Sequence, residues 1–188
     1  MDTTSGEPPA DRAARPTAVV FAGHVDHGKS TLIGRLLHDT GNLSDGQAEA
    51  MRAASAARGL TAEWSFLLDS LQAERDQGVT IDATRIPVTL GGRRFVIIDA
   101  PGHRQFLRNM LTGAADASAA VLVVDAAEGA REQTRRHAML LRLLGLRDVI
   151  VLLNKVDALD FDAARIAAAE AALRTELAAL DLSPVAVV

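Results

Sequence analysis

The stretch GHVDHGKST, Gly23–Thr31, constrains the fold more than any other part of the chain. It follows TAVVFAG (Thr17–Gly23), a short continuous apolar run of the kind buried on both faces of a sheet. After Lys29, residues Leu32, Ile33, Leu36 and Leu37 fall on one helical face, and Gly41 ends the pattern. A strand, a G-x4-G-K-S loop and a helix in that order form a phosphate cradle. The glycines let backbone N–H groups wrap phosphate oxygens, and the helix N-terminus adds about half a positive charge facing them. Lys29 is then placed to neutralise the β- and γ-phosphates, Ser30 to offer a hydroxyl to Mg²⁺, and Thr31 to bond the α-phosphate. Gly23, His24, Val25, Asp26, His27 and Gly28 complete the loop around the phosphates.

The remaining pattern says what sheet carries this loop. Ile86, Val88 and Leu90 alternate, Gly91-Gly92 makes a turn, and FVIID (Phe95–Asp99) returns as a second arm. Pro87 puts the first arm at a sheet edge, since proline cannot donate a ladder hydrogen bond. VLVVD (Val121–Asp125) and VIVLLN (Val149–Asn154) read as two more buried strands, and PVAVV (Pro184–Val188) as a sixth. Helical stretches are expected over about 104–114 and 132–144, with a last helix presenting Ile166, Leu173, Leu177 and Leu180. Residues 41–60 are polar and Ala-rich, part of them helical, and 1–16, rich in Pro, Gly and charge, are expected to be a disordered leader. Strands alternating with helices imply a three-layer α/β domain over 17–188, with a mainly parallel sheet of about six strands and one antiparallel edge strand. Ligands of such sheets bind at the carboxyl ends of the strands.

Two further motifs fall at those ends. DAPGH (Asp99–His103) ends the second hairpin arm. A carboxylate there can hold a Mg²⁺-bound water, and the N–H of Gly102 can reach the γ-phosphate. NKVD (Asn154–Asp157) ends a later strand. Guanine presents an N1–H and an exocyclic NH₂ side by side, which match the two oxygens of the Asp157 carboxylate. Adenine would leave that carboxylate unpaired, at a cost of about 1–3 kcal/mol or more. Asn154 is expected to bridge loops and contact N7, with the Lys155 stem lying along the base.

Composition sharpens these assignments. The chain has 18 Arg and 2 Lys, and the two lysines are Lys29 and Lys155, one in each motif. Two lysines dealt at random among the basic positions would give this pair roughly once in 190 deals. Lysine is kept where a compact, flexible ammonium is needed, because the arginine fork does not replace it. The net charge of −4 and the lack of a basic run argue against a nucleic-acid groove. There is no cysteine, no apolar run long enough for a membrane span and no signal-peptide pattern, all of which fit a cytoplasmic protein.

With these motifs in hand, residues 17–188 resemble the translation-factor class of P-loop GTPases. The features are His and Asp within GHVDHGKST, ERDQGVTID (Glu74–Asp82), similar to that class's switch I, and DAPGH, with histidine where Ras-like proteins carry glutamine. Within the class, LQAERDQGVTID, RNMLTGA and QTRRH (Gln133–His137) are most similar to the GTPase domain of the large subunit of bacterial sulfate adenylyltransferase. His27 and DAPGH resemble elongation factor 1A instead. The resemblance implies GTP/GDP and Mg²⁺ as ligands, with Ser30, Thr80 and Asp99 on the metal side. It implies Thr80 and His103 as the residues that position the attacking water, with Lys29 on the phosphates and Val25 and Val79 as an apolar gate before His103. It implies a monovalent cation near Asp26. As partners it implies the small, ATP-using sulfate adenylyltransferase subunit and, in full-length relatives, a fused adenylylsulfate kinase; composition and charge argue against a membrane or nucleic-acid partner. The implied role is a GTPase within a nucleotidyltransferase of sulfate assimilation. A translation GTPase acting on the ribosome and a GTP-gated interaction module without turnover are the alternatives. The family's last guanine-contact loop, a Ser-Ala dipeptide after the sixth strand, and its β-barrel domains are not in the sequence, which suggests a domain truncated before that loop.

Overall fold

The computed structural model describes residues 16–24, 26–57, 64, 84–100 and 117–188. Among them the chain runs β1 (Thr17–Gly23), α1 (Lys29–Asp39), α2 (Asp45–Ala56), β2 (Thr84–Leu90), β3 (Arg93–Asp99), β4 (Ala119–Asp125), α3 (Glu132–Leu143), β5 (Val149–Asn154), a 3-10 turn (Val156–Leu159), α4 (Ala163–Ala178) and β6 (Ala186–Val187). The six strands form one sheet in the order β2-β3-β1-β4-β5-β6. Only β2 and β3 pair antiparallel, and β2 with Pro87 is an edge strand, as expected. The expected helix over 104–114 lies outside the described residues. The ladder of β6 is shorter than PVAVV suggests; beside it, the N–H groups of Val185 and Val188 donate to the carbonyls of Val149 (2.8 Å) and Val151 (3.0 Å), and the Val188 carbonyl accepts from the Leu153 N–H (2.8 Å).

Continuous apolar strands make sense because both sheet faces are covered. Val20 and Ala22 of β1, Leu122 and Val124 of β4, and Val151 of β5 face α3 and α4, where Ala138, Leu141, Leu173 and Leu177 close the larger core. Phe21 and Ile97 face the other way, onto Ile33 and Leu37 of α1 and Met51 of α2. Each fully buried Leu or Ile of these layers contributes about 1.5–3 kcal/mol. Gly34 on the inner face of α1 allows a close approach: a Cβ there would lie 2.6 Å from the Trp64 carbonyl oxygen and 2.8 Å from its Cβ. Trp64 packs against α1 at this point, its ring centroid 4.5 Å from that of His38. Asn42 caps the edge strand by accepting from Thr89 N–H at 2.8 Å and donating to its carbonyl at 3.1 Å.

α4 starts at Asp162, whose carboxylate accepts from the N–H groups of Ala164 and Arg165. The guanine motif runs into the short 3-10 turn (Val156–Leu159), and α4 begins a few residues later. The carboxyl ends of β1, β3, β4 and β5 open onto one side of the domain. The strand order reverses about β1, and a crevice opens at such a point in sheets of this type.

Candidate functional site

Three described loops, after β1, β4 and β5, and the end of β3 lie at those strand ends. The phosphate loop turns into α1 through Gly28 (φ 84°), which stands before the helix, and the N–H of Leu32 donates back to its carbonyl at 2.8 Å. Only glycine sits there without strain, and a Cβ would fall 2.2 Å from Asn154 Nδ2. That contact exists because Asn154 Nδ2 donates to the carbonyl of His27 at 2.8 Å. Asn154 thus bridges the phosphate loop and the guanine motif, as the sequence suggested.

Lys29 is buried (8 % exposed) at the start of α1, and its ammonium makes a salt bridge to the Asp99 carboxylate at the end of β3. The residue expected on the phosphates and the one expected on the metal side are therefore brought together by β1 and β3, which run parallel with Phe21 opposite Asp99. Ser30, half-buried, and Thr31, exposed, follow on the first turn of α1. Asp26 is exposed and has φ 66°.

His24 and His27 point their rings away from the loop mouth, toward β4 and α3. His24 Nδ1 is hydrogen-bonded to Gln133 Oε1. His27 is buried (1 % exposed); its Nδ1 accepts from the N–H of Asp125 at 3.2 Å, and its Nε2 faces Glu128 Oε2 at 3.4 Å. The two rings meet edge to face, 5.0 Å between centroids. Their contribution to the site is to anchor the loop.

On the base side, Asp157 is the second residue of the 3-10 turn, with an exposed carboxylate that holds no hydrogen bond or ion pair among the described residues. Lys155, at φ 56°, reaches Asp125 Oδ2 at 3.1 Å. Sequence alone assigned no site role to Asp125 or Glu128, and Gln133 entered only as the first residue of QTRRH. The available signal was the position of Asp125 at the end of VLVVD, matching Asn154 at the end of VIVLLN, and the two are opposite each other in the β4–β5 register. Val25, Val79, Thr80, Gly102 and His103 lie outside the described residues.

His137 sits beneath this assembly on α3, 5 % exposed, and its Nδ1 has no partner among the described residues. Burial, followed by the positive charge of Lys29 and the proximity of His24 and His27, pushes its pKa from 6.5 down to about 4. The folded protein thus binds its proton later than the unfolded chain on acidification. Stability from the neutral ring is complete above pH 6.5 and is lost as pH falls from 6.5 toward 4, amounting to about 3 kcal/mol across that window. His137→Gln should flatten the fall in melting temperature between pH 7 and 5. An unchanged fall would exclude His137 as its source.

A doubly wound sheet with a phosphate loop and an N-K-x-D turn at its carboxyl edge defines a P-loop nucleotide-binding domain. The family profile described as "Elongation factor Tu GTP binding domain" matches residues 15–186. The chain belongs to that family of GTP-binding GTPase domains. It is 46% identical over 156 residues to elongation factor 1-alpha of Archaeoglobus fulgidus, covering 82% of this chain and 37% of that protein. It is 48% identical over 143 residues to sulfate adenylyltransferase subunit 1 of Cellvibrio japonicus, covering 74% of this chain and 30% of that protein. The crystal structure of bacterial selenocysteine-specific elongation factor EF-Sec superposes with a TM-score of 0.60 at 30% identity, covering 92% of this chain and 25% of that chain. The chain spans about a third of the length of these curated relatives.

Proposed function

We propose that the domain binds and hydrolyses GTP as the regulatory GTPase of a sulfate adenylyltransferase, where hydrolysis drives formation of adenosine 5′-phosphosulfate from ATP and sulfate. The nucleotide part rests on one observation: Lys29, Asp99, Asn154, Lys155 and Asp157 converge at the carboxyl ends of β1, β3 and β5. On binding GTP, Lys29 exchanges the Asp99 carboxylate for β- and γ-phosphate oxygens. The backbone of residues 23–28 wraps the phosphates, and Asp157 takes the guanine edge. The oxygen donors at hand, the Ser30 hydroxyl and the Asp99 carboxylate, suit a hard cation. Ser30, Thr80 and, through water, Asp99 would hold Mg²⁺, which supplies charge neutralisation on the phosphates. Phosphoryl transfer needs positioning and charge stabilisation more than covalent help. Thr80 and His103 are assigned the positioning of the attacking water, and Gly102 the γ-phosphate contact that loosens once that phosphate leaves.

The sulfate-activation reading is supported by LQAER and QTRRH, by the acidic net charge of −4, and by similarity to sulfate adenylyltransferase subunit 1. A translation role is favoured by His27 and DAPGH and by the similarity to elongation factor 1-alpha. No arginine finger is identifiable in the sequence, so turnover alone is expected to be slow and to rise with a partner. Single-turnover GTP hydrolysis separates the readings. Stimulation of about tenfold or more by a sulfate adenylyltransferase small subunit with ATP and sulfate is expected, and none by ribosomes. Stimulation by ribosomes alone would transfer the domain to translation, and stimulation by neither would leave a GTP-gated interaction module.

A further inference from the structure

Asp125 ends β4 and stands opposite Asn154 in the parallel register of β4 and β5. Its side chain is 7 % exposed, yet it belongs to none of the phosphate, metal or base motifs. A buried carboxylate persists only when donors surround it. Asp125 Oδ2 lies 3.1 Å from Lys155 Nζ, and Oδ1 accepts from the N–H groups of Ala127 at 2.9 Å and Glu128 at 3.1 Å. Burial by itself raises its pKa; the bonds from Lys155, Glu128 and Ala127 outweigh it and hold the carboxyl below its ordinary value. Its own N–H donates to His27 Nδ1 at 3.2 Å, and His27 Nε2 faces Glu128 Oε2 at 3.4 Å. One residue thereby joins the β4–α3 loop, the lysine of the guanine motif and the phosphate loop.

We propose that Asp125 is a positioning residue for nucleotide binding: it anchors the Lys155 ammonium so that the lysine stem stands as a fixed wall for the base, and it ties that wall to the phosphate loop through His27. Three details support this. Lys155 has a left-handed backbone (φ 56°), a conformation that a long side chain adopts at a cost and that a tether at its tip helps retain. Lys155 itself is 41 % exposed, so its stem is free to swing unless the ammonium is held. The neighbouring Asn154 is held on the same loop by His27, through the His27 carbonyl, so both sides of the base platform refer to one anchor. The proposal rests on the assignment of Asn154-Lys155-Val156-Asp157 to guanine.

The test is a double-mutant cycle on GDP affinity, measured by calorimetry with Asp125→Asn, Lys155→Met and the pair. Asp125→Asn should weaken GDP roughly 10- to 30-fold, and in the Lys155→Met background it should add less than about twofold, because it acts through the lysine. Unchanged GDP affinity in Asp125→Asn, or losses that simply multiply in the pair, would overturn the proposal. Asp125→Ser keeps an acceptor for the loop N–H groups and carries the test if the Asn variant does not fold. Failure of both to fold would overturn it by assigning Asp125 to the fold alone. Asp157→Asn, measured alongside, separates the two levels. Retention of GDP there removes the guanine assignment itself, whereas a switch to xanthosine diphosphate with a multiplicative cycle removes only the role of Asp125.

Discussion

Asp157→Asn is expected to lose GDP affinity by about 100- to 10,000-fold and to gain binding of xanthosine diphosphate. The argument is one of donors and acceptors. Guanine offers two adjacent N–H donors to one carboxylate, and hydrogen bonds to a charged group contribute about 1.5–3 kcal/mol each. An asparagine presents one acceptor and one donor, so its NH₂ meets the guanine NH₂ and both go unpaired. Xanthine carries a carbonyl where guanine carries NH₂, which restores the match. The structure adds that the change should be clean. Asp157 is exposed at the start of a 3-10 turn and makes no side-chain bond among the described residues, so the fold does not depend on its charge. Calorimetry with both nucleotides reads the outcome, and a melting curve checks the fold. Unchanged GDP affinity would remove Asp157 from the base site.

Gly28→Ala is expected to disable the site from the phosphate side. Gly28 has φ 84°, where an L side chain costs about 1 kcal/mol or more, and the added Cβ would lie 2.2 Å from Asn154 Nδ2. The Asn154 amide would have to leave the His27 carbonyl, so one methyl group breaks the loop's turn and its bridge to the guanine motif together. Affinity for both GTP and GDP should fall about 100-fold or more, with a melting temperature lower by several degrees, roughly 2–4 °C per kcal/mol for a domain of this size. Asn154→Ala removes the bridge without the clash and should lose less. Gly41 supplies the control: it too has positive φ (66°), but nothing among the described residues lies within 4 Å of a Cβ there, so Gly41→Asn should leave nucleotide affinity unchanged. Near-normal affinity in Gly28→Ala would show that the loop can turn and bind phosphate without this glycine.

By sequence alone, the elements that carry their own local chemistry were legible. The phosphate loop, the hairpin turn and the edge position of Pro87 follow from backbone rules acting over a few residues. The two lysines also marked their motifs, because the chain otherwise uses arginine, 18 Arg against these 2 Lys. The position of N-K-V-D after a buried run placed it at a strand's carboxyl end, and the structure puts Asn154 and the 3-10 turn there. Membership in the elongation factor Tu GTP binding domain family was likewise written in short motifs, and the family match confirms it. What separates sulfate activation from translation was not decided by those motifs, because they serve the nucleotide and not the partner.

Only the tertiary structure decided who holds whom. That Lys29 pairs with Asp99 depends on β1 and β3 lying side by side, and that Asp125 meets Lys155 depends on the register that sets Asp125 against Asn154. The rings of His24 and His27 looked from sequence like part of the phosphate loop's lining. The structure turns them to Gln133, Asp125 and Glu128, between about 100 and 110 positions away along the chain. The physical reason is the reach of the interactions. Turn geometry and hydrophobic period act between neighbours in sequence, so a single chain displays them. The ties that anchor the loop act between strand ends that meet only after the sheet has chosen its order and register.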